Sequence, residues 1–311
     1  MIITLTVNPA LDIYSKTEKL EPNEKLRCDK PLIDAGGGGI NVSRVIKRLG
    51  GESTAVFASG GHTGKLFSDL LAKEGVNQDP VHVSNDLRQN FAITENSTGN
   101  LYRFGFPGAE LQDREYEALL EKIDKCKEGS FLVASGSLPP GAPADFYARA
   151  AARASKCGLK FILDTSGRSY KGVLEEGAFL LKPNRKELKD LSGEAAETIE
   201  QQKNVLLKIL ETHQVENIVL SLGAEGALLA TGGKVKQFPA PQVEHVSSIG
   251  AGDSMVAGIV YSLSTGQPIE KAVLYGLACG SATIKSPGTE LLKAKDVESL
   301  YEQLLKSREE F

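Results

Sequence analysis

An α/β fold, with a mainly parallel sheet between layers of helices and a small β-sheet lid, is what this chain predicts. Three observations carry that reading. From residue 113 onward, segments with helical apolar spacing alternate with short strand-like runs, a rhythm that builds parallel sheets covered by helices on both faces. The first third instead holds short extended stretches, and Arg88 to Glu95 and the stretch 100–106 flank the turn sequence Asn96-Ser-Thr-Gly99, which reads as a hairpin. Finally, Ser247-Ser-Ile-Gly-Ala-Gly-Asp-Ser254 runs into the apolar segment 255–263, a glycine turn opening a helix at the carboxyl side of the sheet.

In chain order, a first strand ends near Val7 and is followed by Asn8-Pro-Ala-Leu-Asp12, with alternation through Tyr14. A second extended stretch, 25–33, meets Gly36-Gly-Gly-Gly39; a helix over 40–49 is closed by Gly50-Gly51. Strand 54–58, helix 64–73, an extended piece 79–83 and the hairpin come next. The spacing then predicts helix 113–125, strand 130–134, helix 143–155, strands 160–163 and 178–182, helix 196–212, strand 217–221, a hairpin over 226–238 and helices 252–263, 269–284 and 295–307. No linker, repeat or low-complexity tract divides the chain. The expectation is one domain over 1–311, with a lid formed from about 10–34 and 88–107.

With 311 residues and a net charge of −4, the chain lacks the basic balance that nucleic-acid binding usually needs. The N-terminus has no basic flank and reads as a strand, and no apolar run is long enough to span a bilayer. A soluble cytoplasmic protein without nucleic-acid or membrane partners is expected. Cys28, Cys126, Cys157 and Cys279 form no Cys-x-x-Cys pair, and His62, His82, His213 and His245 fall in no catalytic spacing. Ser59-Gly-Gly-His-Thr-Gly-Lys-Leu66 lacks the first glycine and final hydroxyl of a P-loop, and Met255 stands where a dinucleotide fingerprint needs its third glycine.

Four stretches carry the chemistry. Backbone amides of Gly250, Ala251 and Gly252, at a helix start, form an anion hole, and Asp253 beside them is a carboxylate base or, more plainly, a helix cap. In Lys182-Pro-Asn-Arg-Lys-Glu187, Asn184 and Glu187 lie three apart, either to hold Mg²⁺ through water or as a cap with its N3 partner. Ser221-Leu-Gly223-Ala-Glu-Gly226 is a turn suited to adenine and ribose, and a hairpin turn fits it equally. Ser135-Gly-Ser137-Leu-Pro-Pro140 offers a hydroxyl or a rigid turn.

Together these stretches resemble the ribokinase-like sugar kinases of the PfkB type over essentially the whole chain. Gly36-Gly-Gly-Gly-Ile-Asn41-Val matches the N-terminal signature, Gly250-Ala-Gly-Asp253-Ser the C-terminal one, and Lys182-Pro-Asn-Arg-Lys-Glu187 the magnesium-associated motif. The resemblance implies a three-layer ribokinase-like fold, Asp253 as the base that takes the acceptor's proton, and an anion hole worth ~3 kcal/mol per donor. It implies Lys182, Asn184, Ser221, Gly223, Gly226 and Gly280 on the ATP side and Mg²⁺ near Glu187. A K⁺ site is implied with Ser247, Ile249, Ser286 and Gly288 as candidates. Asp12, Lys25, Arg27, Gly37, Gly38, Asn41, Arg88, Arg103 and Ser137 are implied for a phosphorylated hexose. Gly38, where relatives acting on fructose 1-phosphate or tagatose 6-phosphate usually carry lysine, and Lys25-Leu-Arg-Cys28, Arg88-Gln-Asn90 and Tyr102-Arg-Phe104 look like the 6-phosphofructokinases of the family. Fructose 6-phosphate is therefore the expected acceptor, at its 1-hydroxyl, with fructose 1-phosphate or tagatose 6-phosphate as the alternatives and a non-catalytic sugar-phosphate-binding regulator as the less favoured reading. The resemblance also implies a homodimer joined through the lids and inhibition by MgATP.

Overall fold

Strand β1 (Ile2–Thr6) is buried at every residue. Ile3 and Leu5 enter one core and Ile2 the other, as the period of two requires for a strand covered on both faces. The computed structural model describes residues 1–309 except Lys171. After β1 come β2 (Ala10–Thr17), β3 (Leu32–Gly36), α1 (Gly38–Arg48), β4 (Thr54–Ser59), α2 (Gly61–Lys73), β5 (Asn77–His82), β6 (Arg88–Glu95), β7 (Leu101–Phe104) and α3 (Asp113–Asp124). Then follow β8 (Phe131–Ser135), α4 (Phe146–Lys156), β9 (Lys160–Asp164), α5 (Val173–Glu176), β10 (Ala178–Leu181), α6 (Arg185–Ser192) and α7 (Ile199–Thr212). The chain finishes with β11 (Val215–Ser221), β12 (Ala227–Thr231), β13 (Lys234–Phe238), α8 (Ala251–Ser264), α9 (Ile269–Ile284) and α10 (Ala294–Glu309).

The large sheet has the order β13-β12-β11-β10-β9-β8-β1-β4-β5. It is parallel from β11 to β5, and the β12 and β13 hairpin adds the antiparallel end. One core packs α3, α4 and α7 on one face; α1, α8, α9 and α10 bury the opposite face through Val42, Val256, Val273 and Val297. This is the ribokinase-like three-layer arrangement. Register sets Ser135 beside Asp164, and a single bridge joins Asn184 to Ser221, so polar groups line up along the carboxyl edge, where ligands bind in such sheets.

The lid is a separate four-stranded sheet, β3-β2-β6-β7. The expected strand over 25–33 is corrected. Residues 25–30 are exposed apart from half-buried Leu26, so their alternation serves no buried face, and Cys28 makes only an isolated bridge to Thr17. The strand proper begins at Leu32 and pairs Asp34 with Asp12. Helix α1 starts at Gly38, two residues before the apolar periodicity. A Cβ on Gly38 would lie 2.2 Å from the Ser135 hydroxyl, and one on Gly39 2.5 Å from the Thr6 hydroxyl. Packing against β8 and β1 therefore overrides the poor helix propensity of two glycines.

Candidate active site

Two helix N-termini, those of α1 and α8, meet at the carboxyl edge of the sheet. Gly250 takes the left-handed conformation at φ 73° and caps α8; a Cβ there would meet Leu291 at 2.6 Å. The first intrahelical bond runs from Ser254 N to Gly250 O at 2.8 Å, so the amides of Gly252 and Asp253 have no carbonyl to pair with inside the helix. Lys182 brings its ammonium to this turn, 3.7 Å from where a Gly252 Cβ would stand.

Asp253 shares the turn. Asn41 on α1 donates its Nδ2 to Asp253 Oδ2 at 2.9 Å, which orients the carboxylate. Burial, with Asp164's charge adding to it, pushes the Asp253 carboxyl up to about 7, against the pull of Asn41 and Lys182. Lys182 pairs with Asp164 at 3.1 Å, both nearly buried. Burial works against that ammonium, but Asp164 and Glu187 hold its pKa above the ordinary value. Asp164 was not among the residues singled out from the sequence, although its place at the end of a predicted strand is the signal that marks such sites.

Around Asp253 opens a cavity of about 420 Å³ lined by Asp12, Gly37, Gly38, Asn41, Arg88, Asn90, Arg103, Phe104, Gly136, Ile249, Gly250 and Thr289. The lid register explains how its polar residues converge, because Asp12 faces Asn90 across β2 and β6, and Asn90 Nδ2 donates to Asp12 Oδ1 at 2.9 Å. Burial raises the Asp12 carboxyl, opposed by Asn90, Arg88, Arg103 and Arg44. Arg88 donates to Asn8 O at 3.0 Å and Phe106 O at 3.3 Å. Its buried Nε has no partner among the described residues.

The remaining expectations divide. Gly37, Gly38, Asn41, Asp12, Arg88 and Arg103 are brought together, whereas Lys25 and Arg27 stand exposed on the segment between β2 and β3, outside the cavity of a single chain. Ser137 is exposed and does not line it; Gly136 does. The buried Ser135 hydroxyl has no partner among the described residues. Asn184 and Glu187 form the capping box of α6, with Glu187 N donating to Asn184 Oδ1 at 3.0 Å and Asn184 N to Glu187 Oε2 at 2.8 Å.

A second cavity, about 400 Å³, lies across the α8 turn and is lined by Ser221, Gly223, Gly226, Pro241, Val243, His245, Gly252, Met255, Leu277 and Gly280. Its apolar wall suits a flat heterocycle. His245, which falls in no catalytic spacing in the sequence, lines it. Ser247 Oγ donates to Gly288 O at 2.9 Å, so the segments carrying Ser247, Ile249, Ser286 and Gly288 adjoin.

Sequence comparison settles the family. The profile of the pfkB family carbohydrate kinase matches residues 5–295. The chain belongs to the pfkB family of carbohydrate kinases. This kinase is 41% identical over 302 residues to ATP-dependent 6-phosphofructokinase isozyme 2 of Mycobacterium tuberculosis, an alignment covering 97% of the chain and 89% of the relative. Phosphofructokinase-2 from Escherichia coli in complex with fructose-6-phosphate matches the kinase at TM-score 0.92 and 36% identity, covering 98% of this chain and 99% of that one. The potassium complex of the same Escherichia coli protein matches at TM-score 0.94 and 37% identity, with the same coverage. No helix of the kinase, among the described residues, is long and apolar enough to cross a membrane.

Proposed function

We propose that this kinase transfers the γ-phosphoryl group of ATP to the 1-hydroxyl of fructose 6-phosphate. One observation carries the choice of a phosphorylated acceptor: the cavity that holds a buried carboxylate base also receives Arg88 and Arg103 from the lid, two forked cations suited to a phosphate already present on the sugar. Asp12 and Asn90 face the sugar hydroxyls. Asp253 takes the proton of the 1-hydroxyl, whose oxygen bonds to phosphorus as the bond to ADP's bridging oxygen breaks. The amides of the α8 turn and the Lys182 ammonium steady the charge spread over the transferred group. Glu187, with one carboxylate oxygen engaged in the capping box, fits a water-mediated hold on Mg²⁺, which when bound neutralises the β and γ phosphates. The segments of Ser247, Ile249 and Gly288 are joined through the Ser247 hydroxyl, and their carbonyls, with that of Ser286, are the candidates to hold a K⁺ ion.

The lid exposes Leu32, Ile33, Phe91, Tyr102, Phe104 and Phe106, apolar area that a homodimer joined through the lids covers. The four cysteines are free thiols, in keeping with a reducing cytoplasm.

The test is ADP release measured with fructose 6-phosphate, fructose 1-phosphate, tagatose 6-phosphate and free fructose. Fructose 6-phosphate should give the highest kcat/KM. Preference for fructose 1-phosphate or tagatose 6-phosphate would overturn the acceptor, and preference for free fructose would also remove Arg88 and Arg103 from their assigned role.

A further inference from the structure

We infer that Thr289 and Asp34 are positioning residues for phosphoryl transfer, tying the sugar-holding lid to the turn that opens α8; the inference rests on the kinase reading above.

It starts from a conflict between like charges. Asp12 and Asp34 sit directly opposite each other in the β2 and β3 register, where two carboxylates repel. Asp34 is compensated from outside the lid. Thr289, in the loop after α9, donates its hydroxyl to Asp34 Oδ2 at 2.7 Å, and Arg44 of α1 meets Oδ1 at 3.1 Å. Arg44 is itself fixed, donating to Ala35 O and Glu74 Oε1 at 2.8 Å each. The carboxylate beside Asp12 is thus anchored to the body of the molecule at two points.

The next residue back makes a second anchorage. Gly288 has φ 59°, and a Cβ there would lie 2.8 Å from the Tyr14 ring. Tyr14 follows Asp12 by two positions, on the same face of β2. From Gly288 the link continues inward: Ser247 Oγ donates to Gly288 O at 2.9 Å and accepts from Ile249 N at 3.3 Å. Ile249 precedes the Gly250 cap. Thr289 lines the cavity with Ile249, Gly250 and Asp253. An unbroken series of contacts therefore runs from the carboxylate that faces the sugar to the amides that face the phosphoryl group.

Such a link has a thermodynamic consequence. A sugar phosphate that fixes the lid through Asp12, Arg88 and Arg103 also fixes the α8 turn, so the two substrates should bind with positive and reciprocal coupling. Loosening the link should spare the binding of each substrate on its own, remove the gain each gives the other, and slow the step that needs both aligned, where small misplacements are expensive.

The experiment is Thr289→Val, which removes the donor and keeps the shape. Its kcat with fructose 6-phosphate should fall about 10- to 100-fold, while the Kd for the sugar phosphate without nucleotide changes less than about 3-fold, and Thr289→Ser should restore kcat. Calorimetry with a non-hydrolysable β,γ-imido ATP analogue should show tighter binding in the presence of fructose 6-phosphate for the wild type, and a ratio near one for Thr289→Val. If that variant does not fold, Asp34→Asn takes its place in the same comparison. Wild-type kcat in the variant, a loss confined to sugar-phosphate KM, or an unchanged coupling ratio would each overturn the inference. Should the wild type prefer another sugar phosphate, the acceptor assignment fails separately, and the same coupling is measured with that substrate.

Discussion

In the proposed function Asp253 is the base, and its environment makes two measurable demands. As a base it must be ionised, and with its carboxyl pushed up to about 7 by burial and by Asp164, kcat/KM for the sugar phosphate should fall tenfold per unit below about pH 7. Asp253→Asn should bind the sugar phosphate almost normally and lose several orders of magnitude in kcat; near-normal turnover would remove it from the role. The same shift bears on stability. A folded pKa above the unfolded value means that the native state takes up a proton, so the stabilisation is fully present below about pH 4 and is lost as pH rises through about 7. Melting temperatures should show Asp253→Asn gaining on the wild type between pH 5 and pH 8, and a constant gap would contradict the burial argument. Asp253, Asn41, Arg88 and Arg103 were legible in the sequence because each sits in a motif or on an amphipathic strand. Asp34 and Thr289 were not, since their meaning depends on a contact across 255 positions that no local pattern encodes.

At the scale of elements, α1 and α8 show how far local rules reach. The apolar spacing located α8 to within a residue. For α1 it missed the first turn, because Gly38 and Gly39 are poor helix formers held in place by β1 and β8. Gly38→Ala tests this close approach. The added Cβ meets the Ser135 hydroxyl at 2.2 Å and Gly136 N at 2.8 Å, and overpacking of this kind costs about 1–3 kcal/mol. A drop of several degrees in melting temperature and weaker sugar-phosphate binding should follow. Ser135→Ala should rescue only part of the loss, since the backbone nitrogen stays where it is; full rescue would place the strain in the hydroxyl alone. The misplaced strand over 25–33 has a different cause. Alternation of polar and apolar residues signals a strand only where one face becomes buried, and here neither does.

For the whole molecule, the helix and strand rhythm was enough to give the layers and the mainly parallel sheet, because strands with apolar residues on both faces, such as β1 and β8, must be covered on both. It did not give the order of the lid strands, in which β2 pairs in parallel with β6 across some seventy residues of intervening chain. The lid's exposed apolar side chains lead to a prediction at this scale. Sedimentation should find the wild type as a dimer, and Leu32→Glu, changing a side chain that is 50% exposed, should shift it toward monomer. A monomeric wild type at micromolar concentration would refute association through the lid.

The two outer borders of the large sheet bear on how such association can proceed. At one border β5 carries Pro80, which has no amide hydrogen to offer; at the other, β13 carries Lys234 and Lys236, both exposed. Neither border invites a foreign strand. In the proposed association through the small sheet, neither border of the large sheet then offers an edge along which further copies could add strand by strand.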